Sequence, residues 1–152
     1  TLSGSTVNGP GYIVVNGNLN ISSNTTINGN IFLICSGNIT ISNSQIGTGL
    51  GAAVVIYSKG VADYNNSTVY GLIISKGNSL ELDGSTVYGA ILNYSSSFSL
   101  VGDSDITGSV ISNSSVDFQG NDASITRGNI PTFLGLNIGL DPIVVPGSYL
   151  EY

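Results

Sequence analysis

A short motif recurs along most of this chain, and its period limits the folds that the chain can adopt. The motif is Ser or Thr, any residue, then Val or Ile, often followed by Gly two places later. Its apolar positions return every 18 to 23 residues; they are Val7, Ile27, Ile46, Val69, Val87, Ile106 and Ile125. No helix has a period of this length, whereas a coil of three short strands and three turns does. The motif therefore predicts a solenoid whose coils stack one on the next.

A second pattern lies between the copies of this motif and alternates apolar with polar residues. Its copies are Leu19-Asn20-Ile21, Ile39-Thr40-Ile41, Leu80-Glu81-Leu82, Phe98-Ser99-Leu100 and Val116-Asp117-Phe118. Alternation with a period of two is typical of a strand that buries one of its faces. Gly beside Asn, Asp or Ser flanks most copies, and these residues favour turns because they tolerate positive φ.

Most repeats also contain a continuous apolar run, which we interpret as the third strand of the coil. The runs cover residues 12–15, 31–34, 54–57, 72–74, 90–92 and 110–111. We therefore predict an all-β fold, a right-handed parallel β-helix with three sides and about seven coils of 18 to 23 residues. The uneven coil lengths argue against the strict hexapeptide, left-handed form. At a rise of about 4.8 Å per coil, the stack is roughly 30 Å long.

The repeat stops after residue 127, so we divide the single domain at that point. Residues 1–127 are the coils, and residues 128–152 are an irregular, proline-containing tail that caps the last coil or runs along one flank. A cap is expected because the end of a solenoid exposes core and unpaired strand edges. The longest coil starts at Ile46, and its extra residues are predicted to form a loop at 47–51 or at 61–66. The chain opens in mid-repeat without a signal peptide, which suggests one domain of a larger protein.

Charged residues make up only 8% of the chain, and this scarcity excludes several classes of partner. Three Lys and Arg residues stand against nine Asp and Glu residues, for a net charge of −6. Nucleic acids and anionic membrane surfaces bind through several cations, so neither is an expected partner. No apolar stretch reaches 18 residues, so no membrane insertion is expected. The composition therefore favours a neutral partner.

The side chains that most often carry catalysis are scarce. The sequence has no His, which excludes a Ser-His-Asp triad and makes the common zinc sites unexpected. Cys35, the single cysteine, lies in an apolar run, and we interpret it as a packed residue. A carboxylate pair or a calcium site stays as an alternative at four acidic residues: Glu81, Asp83, Asp103 and Asp105. Asp at a solenoid turn more often caps backbone NH groups, so we expect no enzyme activity, no metal and no cofactor.

The apolar runs predict a ladder of side chains on the outside of the solenoid. When the runs are aligned, one set is predicted to point inward: Val14, Ile34, Ile56, Ile74, Leu92 and Ile111. The alternate set then points outward: Ile13, Leu33, Val55, Ile73, Ile91 and Val110. Such a strip exceeds what a soluble monomer usually exposes, so we take its central members as a candidate apolar interface: Leu33, Val55, Ile73 and Ile91. Alternatively, residues 133–145 of the tail or a loop of the long coil cover it.

Tyrosines of the central coils form the second candidate surface. Tyr70 and Tyr88 follow equivalent motif positions, so both are predicted to point outward and to stack in adjacent coils. Together with Tyr57, Tyr64 and Tyr94 they are the candidate ligand-binding residues. Tyr rings stack on sugar CH groups while their hydroxyls hydrogen-bond to sugar hydroxyls, which favours a neutral polysaccharide as ligand. The alternative is that Tyr is present because it favours exposed strands.

Several of these features resemble a known group of bacterial proteins. They are the neutral Asn/Ser/Thr/Gly-rich coils, the paired repeats Ser67-Thr68-Val69-Tyr70-Gly71 and Ser85-Thr86-Val87-Tyr88-Gly89, and the ending PGSYLEY at residues 146–152. β-Helix domains of proteins from type IV pilus loci are similar, and the chain looks most like the C-terminal cellulose-binding domain of the tapirins, surface adhesins of cellulolytic thermophiles. The resemblance covers essentially the whole chain. It implies attachment to crystalline cellulose through a flat β-helix face at the outer cell surface, and it assigns no binding residues.

Three functions are compatible with these observations. The first is a non-catalytic adhesin module that binds an insoluble polysaccharide such as cellulose. The second is a structural or assembly protein, a pilus-tip or polymer-forming subunit, whose apolar face is a protein interface. The third is a degenerate β-helix lyase. Polymerisation needs bare solenoid ends, so the proline-rich tail favours a monomer over a polymer.

Overall fold

The chain folds into stacked coils of parallel strands. A computed structural model describes residues 1–120 and 122–129, which contain seventeen β-strands and no helix. Paired strands run parallel throughout this part of the chain and build about seven coils. The predicted all-β solenoid is thereby confirmed. We expect right-handed winding because parallel crossover connections are right-handed in nearly all proteins. Of the tail predicted as a cap or flank segment, residues 128–152, all but Gly128 and Asn129 lie outside the described residues.

The strands lie on three faces of the solenoid. The first face is a seven-stranded sheet of β1 (Leu2–Ser3), β4 (Leu19–Ser22), β7 (Ile39–Ser42), β10 (Ala62–Asn65), β12 (Ser79–Asp83), β14 (Ser97–Val101) and β16 (Val116–Gln119). The second face contains β2 (Thr6–Asn8), β5 (Thr26–Asn28), β8 (Gln45–Ile46) and β17 (Ser124–Thr126). The third face contains β3 (Gly11–Val15), β6 (Ile31–Cys35) and β9 (Val54–Ser58). In three later coils, a single long strand belongs to both the second and the third face. These strands are β11 (Thr68–Ser75), β13 (Thr86–Asn93) and β15 (Asp105–Ser112).

The core is a column of aliphatic side chains enclosed by the three faces. On the first face, the apolar members of the alternating pattern point inward: Leu80 and Leu82 are fully buried, whereas Glu81 between them is exposed. On the second face, the motif positions from Ile27 to Ile106 are fully buried, as predicted. Parallel pairing keeps equivalent positions of successive coils in line, so these side chains stack directly on one another.

On the third face, the predicted inward and outward sides were exchanged. Leu33, Ile73 and Ile91 are fully buried, so they cannot form the exposed apolar interface assigned to them, whereas Val55 does point outward. Strand pairing aligns Leu33 with Ile56 and Ile56 with Ile73, which makes this the inward row. A run that is apolar throughout has no polar position to mark its outer side, and a shift of one residue exchanges the two sides of a strand.

An outward apolar ladder nevertheless exists on this face, with different members. We call its two lines of side chains the outer rows. The first outer row consists of Tyr12, Phe32, Val55, Leu72 and Ala90. The second consists of Val14, Ile34, Tyr57, Ile74, Leu92 and Ile111. Their exposure is greatest at the ends of the face, where Tyr12 is 74%, Val14 is 70% and Ile111 is 53% accessible to solvent. In the middle of the face, Leu72 and Ala90 of the first row are buried in a cluster with Ala53 of the 47–53 segment.

Buried hydroxyls hold together the corner between the first and second faces. The Ser67 Oγ accepts a hydrogen bond from the Ser44 backbone N–H at 3.2 Å, and the Ser85 Oγ accepts one from the Ser67 N–H at 3.1 Å. The Ser104 Oγ continues the series by accepting from the Ser85 N–H at 3.2 Å. This serine ladder explains why Ser or Thr opens the sequence motif: its hydroxyl pairs a buried backbone group of the preceding coil.

The predicted loop of the longest coil lies at the first of its two proposed positions. Residues 47–53 connect β8 to β9 and carry the exposed Leu50, whereas the second proposed segment contains the strand β10. From β11 onward the corner between the second and third faces is compressed to a single glycine: Gly71, Gly89 and Gly108 share one register position. This compression places side chains of the two faces close together along the same strand.

Candidate functional site

Two tyrosine rings stack on the outside of the central coils. Val69 and Val87 point into the core, so the next residue on each strand, Tyr70 or Tyr88, points outward. The ring centroids lie 4.8 Å apart and the ring planes differ by 14°, which confirms the predicted stacking. The inner ring faces cover each other. A ligand therefore has access only to the outer faces of the pair and to the hydroxyl-bearing edges.

A cleft of about 490 Å³ opens beside this pair. Its wall contains both tyrosines, Leu50 from the 47–53 loop, and residues of the last coils: Thr107, Arg127, Gly128 and Asn129. The volume lies in the range of ordinary ligand-binding clefts. Its polar groups are the tyrosine and threonine hydroxyls, the Asn129 amide and the Arg127 guanidinium, and its apolar surface comes from Leu50 and the tyrosine rings. Leu50 and Arg127 had not been predicted as site residues, because repeat spacing alone does not show that their segments converge.

The other three candidate tyrosines do not join this cleft. Tyr57 is half-buried in the second outer row, between Ile34 and Ile74. Tyr94 is 54% exposed just after the end of β13. The assignment of Tyr64 to a ligand surface was wrong, because its side chain is fully buried and pairs in register with Ile41 and Leu82.

Tyr64 has an unusual environment for a tyrosine. Burial raises the pKa of its hydroxyl, and the nearby Asp63 carboxylate and Cys35 act in the same direction. The hydroxyl oxygen has no hydrogen-bond partner among the described residues. Cys35 is buried, as predicted, and its thiol donates to the Gly17 carbonyl oxygen at 3.0 Å. These groups lie inside the solenoid and do not contribute to a surface site.

Acidic side chains lie mainly on the first face, away from the tyrosine pair. Asp63 and Glu81 occupy the same outward row in successive coils, and burial raises the pKa of the Asp63 carboxyl. Asp105 lies on another face, where its carboxylate accepts a hydrogen bond from the Ser124 hydroxyl. Within residues 1–120 and 122–129, no three His, Cys, Asp or Glu residues converge as a metal site would require. Among the same described residues, no carboxylate side chain lines the cleft beside Tyr70 and Tyr88.

The fold and this surface define a parallel β-solenoid with an aromatic cleft on its outside. Comparisons with protein-family models, with curated proteins and with solved structures each found no match to the chain. Among the described residues, no helix is long and apolar enough to span a membrane.

Proposed function

We propose that this protein is a non-catalytic module that binds polysaccharide, with cellulose as its principal ligand, and that it works as an adhesin at the outer cell surface. The observation that carries the proposal is the stacked pair of Tyr70 and Tyr88 at the wall of a cleft of about 490 Å³. The resemblance to tapirin cellulose-binding domains is consistent with this ligand.

The chemistry of the cleft suits a sugar. Each outer ring face of the pair presents an apolar surface on which the CH groups of a pyranose ring can pack. The two phenol hydroxyls and the Thr107 hydroxyl both donate and accept hydrogen bonds, as sugar hydroxyls do. Arg127 is the one charged side chain that the described part of the chain contributes to the cleft, so this part of the wall is largely neutral. Hydrogen bonding and ring stacking, rather than charge, are therefore the expected sources of affinity.

The absence of His from the sequence, and of carboxylates from the part of the cleft wall that the structure describes, supports a binding role rather than hydrolysis or elimination. Glycoside hydrolysis ordinarily uses two carboxyl groups on either side of the scissile bond. Asp63 and Glu81 lie side by side in one row of a flat sheet face, so they do not flank a groove of the kind lined by Tyr70 and Tyr88.

Depletion of the protein from solution by microcrystalline cellulose tests the proposal. Tyr88→Ala is expected to weaken binding roughly three- to tenfold, because one stacking ring is lost. Tyr94→Ala is the matched control, since it removes an exposed tyrosine that lies outside the cleft. Circular dichroism checks that both variants keep the fold. The proposal fails if the wild-type protein is not retained, or if the two variants bind equally well.

The outer rows favour a second candidate function, assembly through a protein interface. Tyr12, Val14 and Ile111 are each more than half exposed and lie on one apolar face. Soluble monomers seldom expose such a face, so a second copy of the chain is a reasonable partner. Small-angle scattering across a concentration series distinguishes the candidates: growth of the particle with concentration, without cellulose binding, supports assembly, and a constant monomer mass with cellulose binding supports the adhesin.

A further inference from the structure

A second aromatic pair lies on the first two coils of the third face. The rings of Tyr12 and Phe32 stack with centroids 5.3 Å apart and planes 16° from parallel. Tyr12 is 74% exposed, more than the other large apolar side chains of the described residues. A cleft of about 210 Å³ adjoins the pair and is lined by Pro10, Gly11, Tyr12, Asn30 and Phe32.

The polar group of this second cleft lacks a partner. The Asn30 Oδ1 atom is buried and accepts no hydrogen bond from the described residues. A buried acceptor without a donor is unfavourable, and because this atom has almost no accessible surface, a ligand hydroxyl reaches it only when the Asn30 side chain turns toward the cleft. The cleft thus has one polar side chain, Asn30, beside the aromatic surface of Tyr12 and Phe32.

The first outer row runs between the two aromatic pairs, and its member Leu72 is buried in one cluster with Ala53 and Ala90. Tyr12 and Phe32 begin the first outer row, which continues through Val55 to Leu72. Leu72 follows Tyr70 by two residues on β11, so the row borders the tyrosine pair where the corner is compressed to Gly71. Tyr12–Phe32 spans coils one and two, and Tyr70–Tyr88 spans coils four and five. The centres of the pairs are therefore three coils apart, about 14 Å at the usual strand spacing.

From this arrangement we infer that Tyr12 and Phe32 are a second binding station for the same polysaccharide, and that the ligand is an extended chain lying roughly along the solenoid axis. This inference rests on the proposed function. Val55, which is partly exposed, lies on the row between the stations. Once one station is occupied, binding at the other is intramolecular, so a chain that reaches both binds more tightly than a short fragment.

Titration with cellobiose and cellohexaose tests the second station. The disaccharide is too short to reach both stations, whereas the extended hexasaccharide is long enough. Tyr12→Ala is expected to weaken hexasaccharide binding roughly three- to tenfold and to leave disaccharide binding at Tyr88 unchanged. Val14→Ala is the matched control: it lies on the same strand, is 70% exposed, and belongs to the second outer row. It is expected to bind both sugars as the wild type does.

The outcomes separate this inference from the function on which it rests. If Tyr88→Ala weakens binding while Tyr12→Ala does not, the protein binds sugar at one station and the second station is refuted. If Tyr12→Ala and Val14→Ala weaken hexasaccharide binding equally, the contact is general to the apolar face and the aromatic station is again refuted. If neither cellulose nor either oligosaccharide binds the wild-type protein, the proposed function itself fails.

Discussion

At the scale of single residues, the recurring Ser is a structural element of the solenoid. Ser85 is fully buried; its hydroxyl accepts a hydrogen bond from the Ser67 N–H and donates one to the Asp83 carbonyl oxygen at 3.1 Å. Thr25 has the equivalent place in the second coil, where its hydroxyl donates to the Ser22 carbonyl oxygen at 2.7 Å. A hydroxyl at this position therefore joins one coil to the next and closes its own turn.

Replacement of this hydroxyl should destabilise the fold. Ser85→Ala leaves the buried Ser67 N–H without its acceptor, and we expect the free energy of unfolding to fall by about 1–3 kcal/mol. Urea unfolding followed by circular dichroism measures the change. Ser99→Ala, on the outward side of β14, is the control and should change stability by less than about 0.5 kcal/mol. Equal stability of the two variants would contradict a structural role for the ladder.

At the scale of strands, the compressed corner explains the glycine that β11, β13 and β15 share at one register position. A Cβ added at Gly71 would lie 1.9 Å from the Val54 carbonyl oxygen, and one added at Gly108 would lie 1.7 Å from the Gly89 carbonyl oxygen. No other residue allows the strands of successive coils to approach this closely. The same glycines bring the tyrosine pair next to the first outer row, so the corner also shapes the candidate binding surface.

Two glycine-to-alanine substitutions at one register position should therefore differ strongly in their effect on the stability of the fold. Gly71→Ala forces the backbones of coils three and four apart, and we expect a loss of about 3 kcal/mol or more in unfolding free energy. Gly11→Ala occupies the same register position, but its Cβ would meet no atom within 4 Å, so its stability should stay within about 1 kcal/mol of wild type. Thermal unfolding of both variants measures the difference, and similar melting temperatures would contradict this account of the corner.

Strand patterns that mix apolar and polar residues predicted the structure better than uniform ones did. On the first face, Glu81 marked the outward side of the segment Leu80-Glu81-Leu82, because a glutamate without a charged partner is almost never buried. The apolar run around Ile73 contains no polar residue that would indicate its outward side, so the predicted inward and outward sides were exchanged. Tyr64 was misplaced for a related reason: its segment could be interpreted as a loop, whereas it forms the strand β10 and turns its ring into the core.

The sequence repeats predicted only part of the candidate site. The stacking of Tyr70 on Tyr88 followed from their equivalent positions, because equivalent residues of adjacent coils lie side by side. The contribution of Leu50 requires knowledge of where an irregular loop folds, and that of Arg127 requires the position of the last coil against the loop. A period in the sequence determines neither of them.

At the scale of the whole molecule, aromatic and aliphatic side chains concentrate on one side of the solenoid. The first face presents mostly polar and acidic residues such as Asp63 and Glu81. The opposite side presents two stacked aromatic pairs, Tyr12–Phe32 and Tyr70–Tyr88, with the partly exposed Val55 of the first outer row between them. Because the coils repeat at a fixed rise, this side offers regularly spaced contacts that suit a polymer with its own regular repeat.

The central claim is that polysaccharide binds on this aromatic side. Hydroxyl-radical footprinting of the protein, free and bound to microcrystalline cellulose, tests it most directly. The account predicts that bound cellulose lowers oxidation at the two aromatic pairs and leaves oxidation of Tyr94 unchanged. Unchanged oxidation of both pairs in the bound protein, or protection confined to Tyr94 and the first face, would contradict the claim.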